Sequence, residues 1–68
     1  MEFKITDDYI ELYKLIKAAD LVDSGGEAKQ LIEKEYVLRG GEVETRKRAK
    51  ILVGEVITIG DVSITVTK

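Results

Sequence analysis

The sequence predicts an α+β domain in which two short helices cover one face of a small antiparallel sheet. Three observations carry this. Apolar residues recur at helical spacing only in the first half of the chain. The period drops to two in the second half. Two glycine-containing turn signals, Gly40-Gly41 and Gly60-Asp61, divide that second half into short strands.

Taken in order, Glu2 to Ile5 reads as a strand with Phe3 and Ile5 on one face. Asp8 is the expected N-cap of a first helix over residues 8–19, with Glu11 completing a capping box. Tyr9, Leu12, Tyr13, Ile16 and Ala19 form its apolar stripe, and Leu15 widens it. Residues 20–23 make a tight connection whose Leu21 and Val22 plug the core. Ser24-Gly25-Gly26-Glu27 is a second capping box, followed by Ala28, Leu31 and Ile32 at i, i+3, i+4. Packing must hold both helices, because isolated helices of this length are marginal.

Tyr36 to Arg39 is β-prone, Gly40-Gly41 turns the chain, and Glu42 to Glu44 returns. Thr45 to Lys50 is a polar, basic stretch, and Val53-Gly54-Glu55 is a turn. A two-residue loop at Gly60-Asp61 sets Ile59 against Val62 and Ile57 against Ile64, with Val66 continuing that face. Turn geometry and hydrophobic register therefore agree.

The 68 residues suffice for a single domain, 44% hydrophobic and 35% charged, which favours a packed core over disorder. The absence of Cys and His excludes disulfides, Cys/His metal sites and His-based acid–base chemistry. The acidic pairs lack the spacing of a calcium loop. Neither a metal, nor a cofactor, nor an enzymatic role is expected. No apolar run has the length of a membrane span, and retention in the cytoplasm is the default expectation.

The net charge is −2, unevenly placed: residues 1–35 carry five Lys against nine acids, residues 36–68 six basic residues against four acids. Binding responds to the local field more than to the total. Arg46-Lys47-Arg48 with Lys50, and Arg39 across the turn, is the densest positive charge, suited to contacting phosphates and releasing counterions. The competing reading is a solvated loop whose charges pair with Glu42 and Glu44. Gly25 and Gly26 open the second helix, where unpaired N–H groups and the helix dipole favour an anion, and Lys29 lies one turn on. The competing reading there is a flexible helix start. Lys14 and Lys17 lie off the first helix's apolar stripe and matter if the fold brings them beside Ser24. Tyr9 and Tyr13, at helical spacing, are expected to be half-buried core residues.

Together the runs LVDSGGEAKQLI, YVLRGGEVETRKRAK and VGEVITI, within Ile10 to Ile57, resemble the S4-like RNA-binding domain, or alpha-L motif, and in particular its small stand-alone bacterial members. An N-terminal strand and a C-terminal hairpin strand flank that core motif. The resemblance implies non-catalytic binding of structured RNA, ribosomal or transfer RNA, with a role in translation or ribosome assembly and a possible place on a ribonucleoprotein particle. It carries Ser24, Lys29, Arg46, Lys47, Arg48 and Lys50 onto the family's RNA-facing positions, while Lys14, Lys17, Gly25, Gly26 and Arg39 are added as contacts from the residues themselves, Gly25 standing where many members have Arg and Arg39 where they have Val. Asp20 and Glu35 stand where that family commonly has glycine. The alternative is a protein-interaction module on the same fold. Duplex DNA is disfavoured, because the second helix exposes Glu27 and Glu33 beside Lys29 and Lys34 and suits a major groove poorly.

Overall fold

A computed structural model describes all residues, 1–68, of the chain. The second helix, α2 (Gly25–Glu33), starts where its cap predicts: the Ser24 hydroxyl accepts the N–H of Glu27 at 3.2 Å. The first, α1, spans only Leu12–Ala18, and its N-cap is Glu11, without a side-chain cap bond. This corrects the expected start at Asp8. That carboxylate instead faces Lys68 at 3.4 Å. Residues Tyr9–Glu11 form a strand, β2, antiparallel to β5 (Lys50–Leu52).

The reason is a tertiary cap. The N–H groups of Leu12 and Tyr13 donate to the carbonyls of Ala49 (2.9 Å) and Lys47 (3.1 Å). The opening donors of α1 are thus satisfied from the other half of the chain. Pairing Ile10 with the fully buried Ile51 adds apolar contact that a longer helix would forgo.

Both helices end in Schellman motifs. After α1, Asp20 and Leu21 donate back to Lys17 and Ile16; after α2, Glu35 and Tyr36 donate back to Ile32 and Leu31. Each motif needs a left-handed residue, and Asp20 and Glu35 both adopt φ of 65°.

The main sheet has five strands in the order β1-β7-β6-β3-β4, with β1 at Glu2–Lys4, β3 at Val37–Arg39, β4 at Glu42–Val43, β6 at Val56–Ile59 and β7 at Val62–Thr67. Four of its strands are antiparallel neighbours as expected, but β1 runs parallel to β7, so the sheet is mixed. The physical reason is space: β7 is the longest strand, and its free edge accepts β1 with Phe3 opposite Val66 on the core side. The predicted register of the last hairpin holds, Ile57 with Ile64 and Ile59 with Val62. At the other hairpin Gly40 and Gly41 both have positive φ (59° and 88°), the pattern of a type I′ turn.

Leu12, Leu15 and Ile16 of α1 and Ala28 and Ile32 of α2 pack on Val37, Ile57, Ile64 and Val66 of the sheet, all fully buried. Leu21 and Val22 lie against this core, as the sequence predicts. Ile51 enters the same core and thereby ties the β2–β5 ribbon to it.

Candidate nucleic-acid interface

The loop between β4 and β5 carries Arg46, Lys47 and Arg48. Its backbone is pinned to the start of α1 through the Lys47 and Ala49 carbonyls. Its outer end is pinned by Glu44, the one buried charged residue of the chain. The Glu44 carboxylate accepts from the Arg46 backbone (3.2 Å), from Arg46 Nε and Nη2 (3.1 Å each) and from Arg39 Nη1 (3.1 Å). The Arg46 hydrogen bonds hold the Glu44 carboxyl down at about 2 against the opposing effect of burial, from a usual 4.5.

Arg39 does a different job from the one expected. Its guanidinium makes a bidentate pair with Glu55 (2.7 and 2.9 Å) and also donates to Glu44 and to the Lys50 carbonyl (3.0 Å). Its side chain is 24% exposed. Glu55 also receives the Leu52 N–H at 2.7 Å, and its carboxyl lies below the usual carboxylate range chiefly because of the Arg39 bond. Arg39 is therefore an internal tie between β3, β5 and the turn before β6. The pairing of basic charge with Glu44 is as the solvated-loop reading has it, while Glu42 enters no ion pair. Arg46 remains 73% exposed despite its pair, and Arg48 74%.

Further cations converge on this loop from the helices. Lys29 of α2 lies with its ammonium 4.7 Å from the centre of the Tyr13 ring on α1, and Lys14 lies 5.9 Å from the same ring. A side-chain carbon at Gly25 would meet that ring at 3.7 Å, so the two helix starts touch here. Gly25, Lys29 and Glu33 form one stripe of α2, and Glu33 reaches Lys47 at 3.3 Å. Glu11 bridges Lys14 (3.0 Å) and Arg48 (4.0 Å). This pairing raises the pKa of Lys14, so it stays charged. Lys17 follows Lys14 along α1 and makes no ion pair.

Lys14, Lys29 and the start of α2 thus meet at the Tyr13 ring, and Glu11 and Glu33 tie Arg48 and Lys47 of the loop to the two helices on the same face. The Gly25 and Gly26 amides find no acceptor within the chain, while Ser24 is occupied with its own helix. Such a face offers helix-start N–H groups and several cations to a polyanion. Sequence reasoning missed Glu55, which lies sixteen residues from Arg39 and meets it only in the fold. Glu44 was legible from its proximity to Arg46. Tyr13 is half-buried as expected. Tyr9 is not: it stands on β2, 41% exposed, with the Lys50 ammonium 5.0 Å from its ring centre. The alternation of a strand, not the stripe of a helix, sets its direction.

Residues 3–67 match the family described as S4 domain. The chain is 38% identical over 58 residues to "Putative RNA-binding protein YbcJ" of Escherichia coli (strain K12), covering 85% of this chain and 83% of that one. It is 36% identical over 55 residues to "Probable ribosome maturation protein RlbA" of Bacillus subtilis (strain 168), covering 81% and 78%. The solution structure of E. coli YbcJ, described as revealing an alpha-L motif involved in RNA binding, superposes with a TM-score of 0.76 at 34% identity. It covers 98% of this chain and 86% of that one.

Proposed function

The chain belongs to the S4 domain family, and on that premise we propose that it binds structured RNA, without catalysis, through the face just described. The observation that supports this is that cations from three separate segments lie side by side: Lys14 and Lys29 meet at the Tyr13 ring beside the open start of α2, Glu11 links Lys14 to Arg48, and Lys47 reaches Glu33 at the end of the same α2 stripe. Gly25 and Gly26 let a phosphate approach the backbone, and Arg46 extends the face. Lys17 continues it along α1. Arg39 acts by holding the loop in place. Ribosomal or transfer RNA is the expected partner, and the name of the Bacillus subtilis relative favours a role in ribosome maturation.

The test is fluorescence anisotropy of the purified chain with ribosomal RNA fragments, transfer RNA and duplex DNA over a salt series. Four phosphate contacts give a log–log salt slope of roughly −3, at about −0.7 per contact on single strands. The Arg46/Lys47/Arg48→Ala variant is expected to lose most RNA binding. No RNA binding by the folded wild-type chain at low salt would refute the proposal.

A second reading is a protein-docking module. Exposed Val43 and Val56 on the outer side of the sheet favour it. It predicts that the triple variant keeps its partner.

A further inference from the structure

The β2–β5 ribbon has two unlike sides. Ile10 and Ile51 face the core, and alternation puts Tyr9, Glu11, Lys50 and Leu52 on the other side. Tyr9 and Leu52 are direct cross-strand partners, 41% and 50% exposed. The Tyr9 ring is left open, and the Lys50 ammonium lies 5.0 Å from its centre. The ring therefore borders the cationic face, with Arg48 and Lys14 joined through Glu11 beside it.

We propose that Tyr9 is a stacking platform for one unpaired nucleobase, so that the RNA bound by this domain carries an unstacked nucleotide next to its helical part. This rests on the RNA-binding reading above and specifies the ligand further. Two features argue for a base here and not another phosphate. Aromatic faces stack on any base, and a neighbouring cation strengthens the platform while holding the adjoining phosphate. The open hollow beside Tyr9 is lined by Asp7, Asp8 and Glu11, carboxylates that repel a phosphate but tolerate a neutral base. Lys14 is the cation at its rim, and Asp8 is itself partly neutralised by Lys68 at 3.4 Å. The phosphate strand thus follows Lys50 and Arg48, and the base turns toward Tyr9.

The experiment uses the full chain and two RNA hairpins, one fully paired and one with a single bulged 2-aminopurine. The wild type and Tyr9→Phe are expected to bind the bulged hairpin roughly tenfold more tightly than the paired one and to quench the 2-aminopurine fluorescence. Tyr9→Leu, which keeps apolar bulk without the ring, is expected to lose both the preference and the quenching, with its fold checked by circular dichroism. Equal wild-type affinity for the two hairpins, with paired-hairpin binding still abolished by the Arg46/Lys47/Arg48→Ala substitutions, overturns the stacking site and leaves the RNA-binding reading standing. Retained preference and quenching in Tyr9→Leu overturns it too. Failure of the wild type to bind either hairpin or any ribosomal RNA fragment overturns both readings.

Discussion

Replacing Glu44 with Gln keeps the side chain's shape and removes its charge. In the native protein that charge serves Arg46 twice through the side chain and once through the backbone, and it serves Arg39 as well. Its carboxyl falls from 4.5 to about 2 on folding. At about 1.4 kcal/mol per pKa unit, the ionised form contributes roughly 3 kcal/mol. A domain of this size has only several kcal/mol in total, so Glu44→Gln is expected to lower Tm at neutral pH by about 10–20 °C. The sign with pH follows from the depressed pKa. The contribution is complete above the unfolded value near 4.5 and is lost as pH falls toward about 2. Thermal melts by circular dichroism on wild type and variant between pH 7 and pH 2 test this. The gap in Tm is expected to be constant down to about pH 5 and then to close. A gap smaller than about 2 °C at neutral pH, or one that persists undiminished at the acid end, would refute the assigned role.

Ser24→Ala removes the cap on the Glu27 N–H and is expected to cost about 1 kcal/mol in urea denaturation. Glu35→Gly relieves a left-handed non-glycine residue, worth about 1–2 kcal/mol, against about 0.4–1 kcal/mol of added unfolded-state entropy. A Tm rise of a few degrees is the expected net result, and a fall would mean that Glu35 makes a compensating contribution. Ile51→Ala empties a fully buried position under the β2–β5 ribbon and is expected to cost about 2–5 kcal/mol. Because the ribbon anchors the basic loop, hydrogen exchange of the Leu12 and Tyr13 amides should accelerate in that variant before the main sheet opens.

Much of the architecture was legible one element at a time. Ser24 and Glu27 marked the start of α2, Gly40-Gly41 marked one hairpin turn, Gly60-Asp61 with its flanking alternation set the last hairpin, and the density of Arg46, Lys47 and Arg48 marked the loop. These are local properties: a cap, a turn and a register depend on residues a few positions apart. The misread elements depended on distant ones. Tyr9 to Glu11 carried a helical stripe and a plausible Asp8 cap, yet became a strand because Lys50–Leu52 offered an edge and the Lys47 and Ala49 carbonyls offered a better cap. The parallel placement of β1 likewise required the open edge of β7. The same division holds for the interface. Chain composition named its cations, but only packing sorted Arg39 into an internal tie with Glu55 and left Lys29, Lys14 and Lys50 at the surface. A charge's availability depends on which partner reaches it through space, and that is decided when the core of helices and sheet closes.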